Sequence, residues 1–288
     1  MTNRSHRATI AKETLEILRR GFYVNNDGAK VDVHNSLHTA MESTVHYAPD
    51  DFNDVYADRN RILSHRDPHQ IRTKFRVVNA TTLATARELI EHPESVDPVV
   101  CLNFASAKNP GGGFLGGSQA QEESLARASA LYPCINEVTD YYETNRQKSG
   151  SGVYTDHMIY SPSAPVFRDD DDRLLRQPYS LGMITAPAVN AGALLKKDRS
   201  RRRAIEPTMR RRIQHVLSIA IVNNHKRIVL GAWGCGVFRN DPADIALWFA
   251  DELKNNPRLN GAFETVVFAV LDRTNRGTFK AFESVFGA

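Results

Sequence analysis

Arg227-Ile228-Val229-Leu230-Gly231-Ala232, then Asp241-Pro242-Ala243-Asp244, then Glu264-Thr265-Val266-Val267-Phe268-Ala269-Val270-Leu271: these three pieces, in this order, decide the fold class. The first and third are short, apolar and rich in β-branched residues, so they read as buried strands. The middle piece supplies an N-cap, a proline at the first helical position and an early acidic residue. Ile245, Trp248, Phe249 and Leu253 then follow at helical spacing. Strand, helix, strand is one βαβ unit, hence a parallel pair with a right-handed crossover.

The same alternation extends outward. Upstream, Pro207 opens a helix with Ile213, Val216, Leu217, Ala220 and Ile221 on one face; downstream, Phe279, Phe282, Val285 and Phe286 form another apolar stripe. Further strands are expected at residues 75–79, 99–104, 157–160, 164–167 and 181–186, and helices at 82–91 and 121–131. The expected fold class is therefore α/β, a mixed sheet between layers of helices. Before about residue 70 only residues 8–20 show a helical period, through Ile10, Leu15, Ile17 and Leu18, and the rest is His- and Asp-rich. Residues 1–70 are read as an N-terminal helical extension and 71–288 as the layered domain. The acidic run at 168–173 reads as a solvated turn without a site.

A chain of 288 residues, 41% hydrophobic and 24% charged, buries a sizeable core, which excludes disorder as its main state. Apolar runs such as 228–230 are too short to cross a bilayer. The N-terminus is basic, but Lys12 and Glu13 interrupt it where a secretory signal needs an apolar stretch. Cys101, Cys134 and Cys235 are odd in number and widely spaced, which suits a reducing compartment and gives neither a disulfide framework nor a zinc pair. A cytoplasmic location is expected. The net charge of +4 favours anions weakly. Much of it lies at 196–203 and 210–212, read as a solvated connection and helix face, with phosphate tracking as the alternative.

The chemistry points to residues 99–127. An apolar strand runs through Asn103-Phe104-Ala105-Ser106 into a loop with Gly111-Gly112-Gly113 and Gly116-Gly117, then into Gln121-Glu122-Glu123 at a helix start. Consecutive glycines cost conformational entropy and are kept where backbone approaches a ligand or turns with positive φ. Gly112 and Gly117 have the spacing of a phosphate-binding P-loop, but Ser118 stands where its lysine belongs. A dinucleotide fingerprint fails too, since no acidic strand end follows at the right distance.

A second loop, Gly234-Cys235-Gly236-Val237-Phe238-Arg239-Asn240, leaves another buried strand and precedes another helix, so two sets of backbone donors are available to clamp one diphosphate. Cys235 has no nearby His or Asp and reads as packing rather than as a nucleophile. Glu122 and Glu123 suit a helix N-terminus for electrostatic reasons alone. Adjacent helical residues point about 100° apart, so the pair cannot straddle a glycosidic bond from both sides, and one acid must act by itself. The pairs His34/His38 and His65/His69 have metal-ligand spacing but lack a neighbouring base, and no metal is expected.

Gly111-Gly112-Gly113, seven residues, then Gln121-Glu122-Glu123 resembles the motif of poly(ADP-ribose) glycohydrolases of the compact bacterial type, built on a macrodomain; the stretches around Asn103 and Gly234 resemble that family as well. The resemblance implies a macrodomain-like three-layer α/β/α sandwich and cleavage of ribose–ribose bonds in poly(ADP-ribose), with ADP-ribose as product. It implies Glu123 as the catalytic acid and Glu122 as a holder of sugar hydroxyls. Gly111, Gly112 and Gly113 would line the distal ribose, Gly234, Cys235 and Gly236 would receive the diphosphate, and Phe238 would press the ribose toward Glu123; Ser106, Gln121 and Val237 are further substrate-binding residues. No cofactor, membrane or sequence-specific nucleic acid is implied; the partners are poly(ADP-ribose) or ADP-ribosylated proteins. Two alternatives stay open: a module that binds ADP-ribose without cleaving it, and a hydrolase of another ADP-ribose derivative.

Overall fold

The computed structural model describes residues 3–66, 72–92, 97–148 and 152–287. In chain order it contains α1 (Arg4–Arg20), β1 (Phe22–Val24), β2 (Lys30–Asp32), α2 (His34–Glu42), β3 (Val45–Tyr47), α3 (Phe52–Ser64), β4 (Lys74–Val78), α4 (Thr82–Glu91) and β5 (Val99–Phe104). Then come α5 (Gln121–Ala128), α6 (Leu131–Asn136), α7 (Thr139–Gln147), β6 (Met158–Arg168), β7 (Leu174–Ala186), α8 (Ala191–Lys197) and α9 (Ile205–Val222). The chain finishes with β8 (Arg227–Leu230), α10 (Pro242–Ala250), β9 (Thr265–Ala269) and α11 (Thr278–Phe286).

Apart from the β1–β2 hairpin, the strands form one seven-stranded sheet in the order β3-β6-β7-β5-β8-β9-β4. From β7 to β4 every pairing is parallel, while β6 and β3 add an antiparallel edge. Alternate residues of the central strands enter two cores. Val100, Leu102, Ile228, Leu230, Val266 and Phe268 face α3, α9, α10 and α11. Cys101, Val229 and Val267 face α4 to α7, whose Leu83, Leu125, Leu131 and Tyr141 cover that side. The result is a three-layer α/β/α sandwich, and the βαβ unit that decided the class is there as expected, with Asp241 capping α10 through a bond from Ala243 N.

Several expected elements differ. The helix expected at 121–131 ends at Ala128, because Ser129 turns extended and bridges to Val166 on β6, and α6 starts afresh two residues later. The strands expected at 157–160 and 164–167 are one strand, β6, bent by an irregularity between Ser161 and Ala164, and β7 begins seven residues earlier than expected.

The N-terminal segment is more than helical. Helix α1 starts at Arg4, capped by Asn3, but β3 joins the main sheet beside β6 and α3 packs on α9, where Phe52 stacks on His215 at 3.6 Å. The expected boundary at 70/71 lies outside the described residues, as does His69. Among the described residues no helix is long and apolar enough to cross a membrane.

Candidate active site

The loops that follow β5 and β8 leave the carboxyl ends of neighbouring parallel strands, so the two glycine-rich segments share one end of the sheet. In open α/β sheets that end is where crevices form. Neither loop is held by regular pairing, so each needs its own anchors. The β5 loop is closed by bonds from Gly112 N to Asn109 O (2.9 Å), Gly117 N to Phe114 O (2.9 Å) and Ser118 N to Gly113 O (3.1 Å). Helix α1 lies against it: Arg4 Nε donates to Gly116 O and Arg7 Nε to Gly117 O, both at 2.9 Å.

Within this frame the two carboxyl groups have different surroundings. Glu122 is 3% exposed; its Oε2 accepts from Ser106 N at 2.6 Å and its Oε1 from Asn103 Nδ2 at 3.3 Å. Burial, the largest influence, pushes its pKa up to about 8, and the charge of Glu123 works in the same direction against the hydrogen bonds from Ser106, Asn103 and Gly111. Glu123 is half-buried, and its Oε1 accepts from Gly113 N at 3.0 Å. Gly112 lies directly against the pair. It holds φ +60°, and a Cβ there would sit 2.5 Å from Glu123 Oε1 and 3.2 Å from Glu122 Oε2. Only glycine lets the loop pass the carboxylates this closely.

On the β8 side, Gly236 and Val237 are exposed, Val237 at 79%, and a Cβ on Gly236 would meet nothing within 4 Å. Gly234, at φ +74°, turns over Asn240, whose buried amide donates to Val189 O (2.8 Å) and Gly234 O (3.2 Å). Phe238 is half-buried with its ring 6.0 Å from that of Tyr154. The Cys235 thiol points back toward Trp233 O at 3.8 Å, and burial raises its pKa well above the usual range, which leaves it a poor nucleophile.

The sequence profile of the microbial-type PARG catalytic domain matches residues 11–169. Among solved structures, the poly(ADP-ribose) glycohydrolase from Thermomonospora curvata bound to the inhibitor ADP-HPD is 41% identical, covering 97% of this chain and 99% of that one with a TM-score of 0.87. The chain belongs to the microbial-type poly(ADP-ribose) glycohydrolase family. The Thermomonospora enzyme without a named ligand gives a TM-score of 0.89 at 41% identity, over 98% of this chain and 100% of that one. The glycohydrolase from Deinococcus radiodurans in complex with ADP-ribose is 43% identical over 86% of this chain and 95% of that one, with a TM-score of 0.77. No curated protein matches the sequence.

Against this family background, the expected site residues divide by what their side chains touch. Glu122, Glu123, Gly112, Gly113 and Ser106 meet at the β5 end. Gly111 is buried, where a Cβ would lie 2.8 Å from the Phe114 ring. The Gln121 amide is fully engaged by the protein: it accepts from Phe104 N (2.8 Å) and donates to Leu102 O (2.7 Å) and Thr82 Oγ1 (3.2 Å), pinning the start of α5 to the strand end.

Three residues were not singled out for a role. Asn103 is completely buried between Glu122 and Thr185 Oγ1 (3.1 Å), and its place near the end of the strand that leads into the glycine loop is the available signal. Asn240 carries the β8 loop as described. Tyr154 has no local signal; it holds φ +62°, an unusual conformation for an aromatic residue, beside Phe238. The reading of 210–212 as a solvated face fails at Arg212, which is fully buried. It donates to Asp156 Oδ1 (2.8 Å), Val153 O (2.8 Å), Thr155 O (2.9 Å) and Pro187 O (3.1 Å), fixing the backbone on both sides of Tyr154.

Proposed function

We propose that this chain hydrolyses the ribose–ribose O-glycosidic bonds of poly(ADP-ribose) and releases ADP-ribose, with Glu123 as the acid and without a metal. The observation that carries the reading is the unequal carboxyl pair: Glu123 is reachable and oriented by Gly113 N, whereas Glu122 is sealed beneath it. A glycosidic bond breaks through an oxocarbenium-like state, so the site must protonate the departing oxygen and stabilise positive charge. Glu123 supplies the proton, and its carboxylate then takes one from the attacking water. Burial raises the pKa of Glu122 to about 8, and its bonds from Ser106 N and Asn103 Nδ2 tie the strand end to the start of α5, so in this reading Glu122 supports the sugar pocket from beneath Glu123.

The exposed backbone at Gly236 and Val237 suits a diphosphate, whose charge then lies beside the developing cation. Phe238, braced by Tyr154, orients the distal ribose, and Gln121 acts at one remove by holding α5 in position. Carboxylic acid and backbone N–H groups perform both tasks, so the mechanism assigns no cofactor. The glycohydrolases from Thermomonospora and Deinococcus, solved with ADP-HPD and ADP-ribose, support this choice of substrate. Cys101 and Cys134, both free and buried, suit a reducing compartment, and the cytoplasm is the location this reading expects.

Incubation with purified poly(ADP-ribose) tests the reading: free ADP-ribose is released by the wild type, and Glu123→Gln loses at least two orders of magnitude in rate with ADP-ribose affinity kept within a few-fold. Turnover of mono-ADP-ribosylated protein alone would favour the other hydrolase, and binding without any turnover would favour the reader module.

A further inference from the structure

Beside the β8 loop lies a hollow of about 600 Å³ lined by Gly192, Leu195, Lys196, Arg199, Arg202 and Arg239. A neighbouring hollow of about 790 Å³ shares Leu195, Arg202 and Arg239 and adds Arg203. The cations here differ from the rest of the same basic run. Arg210 pairs with Glu206 and Asp251, and Arg211 and Arg212 pair with Asp156. Among the described residues, Lys196, Arg199, Arg202, Arg203 and Arg239 are exposed, and none is in an ion pair with a carboxylate. Acidic groups line only the second hollow: Glu206, which pairs with Arg210; Asp241, which caps α10 through Ala243 N; and Asp244, which feels the charge of Arg202. Lys196, Arg199, Arg202 and Arg239 line the first hollow with no carboxylate among its lining residues, a local excess of positive charge that favours an anion there.

The hollow adjoins the β8 loop through Arg239. Arg239 directly follows Phe238 and is held at φ +57°, a left-handed conformation that costs a side-chain-bearing residue energy. Gly192 N donates to Phe238 O at 2.9 Å, and a Cβ on Gly192 would stand 3.0 Å from Arg239 Cδ, so the arginine side chain is laid along α8 and into the hollow. A volume near 600 Å³ is in the range of sites that take nucleotide-sized groups.

We propose that this hollow is a second anion subsite, which takes the diphosphate of a neighbouring ADP-ribose unit while the β8 loop holds the diphosphate of the unit being cleaved. The inference rests on the proposed function, since it needs a polymer carrying one diphosphate per repeat. It makes the enzyme grip the chain at two points, and the exposed cations give that grip its salt dependence.

The test is the triple variant Lys196→Ala, Arg199→Ala, Arg202→Ala, made in wild type and in the Glu123→Gln background. All three side chains are exposed, so the fold tolerates their loss. Affinity for labelled poly(ADP-ribose), measured in the Glu123→Gln background, is expected to fall on the order of tenfold, from a factor of two to three per exposed ion contact. ADP-ribose affinity stays within twofold, KM for long polymer rises with kcat unchanged, and the dependence of polymer affinity on salt becomes shallower. A matched loss of charge at Arg19, Arg61 and Arg176 leaves polymer affinity intact. Equal polymer affinity in the variant, an equal loss for ADP-ribose, or a loss confined to an RNA oligonucleotide of matched length overturns the second subsite. Absence of turnover in the wild type, by contrast, counts against the proposed function, and the binding comparison still decides the subsite.

Discussion

Gly112 and Glu123 are in contact across the turn that separates them in sequence: a Cβ on the glycine would lie 2.5 Å from Glu123 Oε1 and 3.0 Å from its Cδ. The first obstacle to a side chain at this position is therefore the carboxyl group itself, ahead of any sugar. Gly112→Ala is expected to push Glu123 off the Gly113 N–H and to lower kcat about a hundredfold, the usual consequence of misplacing a reacting group by an ångström. Stability falls by only about 1–2 kcal/mol, the cost of a left-handed backbone. Steady-state kinetics with a thermal melt checks this, and an unchanged kcat would mean that Glu123 is positioned by something other than the loop.

Glu122 makes stability depend on pH in a direction opposite to an ordinary paired carboxylate. Its folded pKa is raised to about 8, so between its ordinary value of 4.5 and 8 the native protein holds a proton that the unfolded chain releases. The contribution is therefore present at low pH and fades as pH climbs through that window. Glu122→Gln, which keeps the shape and removes the titration, is expected to gain stability relative to wild type as pH rises from 5 to 8. Urea midpoints across that range measure it; parallel curves for the two proteins would show that Glu122 is ionised when folded.

Helix α1 is expected to contribute to rate, since its arginines bind the turn just after the glycines. Arg4→Ala with Arg7→Ala should lower kcat about three- to tenfold with ADP-ribose affinity little changed, and cost about 2 kcal/mol of stability for the two bonds. Lysine at both positions should recover part of the rate. A variant that loses only stability would reduce α1 to a packing element.

How much of this was legible in the sequence follows from the range of the forces involved. Helix α4 and the β8–α10–β9 unit carry their own caps and periodicity, so local reading found them. The apolar spacing of 121–131 is as good as any helix, and what ends α5 is the bridge from Ser129 to Val166, a tertiary contact with no local trace. Strand β3 is three residues long, shorter than any period can register. At the site, glycines and acids announce themselves because their residue types are costly, whereas Tyr154 and Arg212 do not. A tyrosine at positive φ or an arginine buried on three carbonyls looks like any other until the chain is folded.

Phe238 stands between two roles that make different forecasts. Its ring packs on the edge of the main core, yet it is only half-buried and faces Tyr154 at 6.0 Å, so it is not a residue whose removal opens a sealed cavity. A fully buried phenylalanine cut to alanine costs about 3–5 kcal/mol; the half-buried position predicts less than that. If the exposed β8 backbone supplies most of the ground-state binding, the ring acts by holding the distal ribose at the angle Glu123 needs, and such orientation is felt in kcat. Phe238→Ala is therefore expected to lower kcat by more than tenfold and to raise KM by less than threefold. Tyr154→Ala, which removes the brace and leaves the ring, should give a smaller loss of the same kind. Melting temperature and kinetics taken on one sample of each variant decide it: a large stability loss with normal kcat in the folded fraction would return Phe238 to the core and leave the ribose to be oriented by the β5 loop alone.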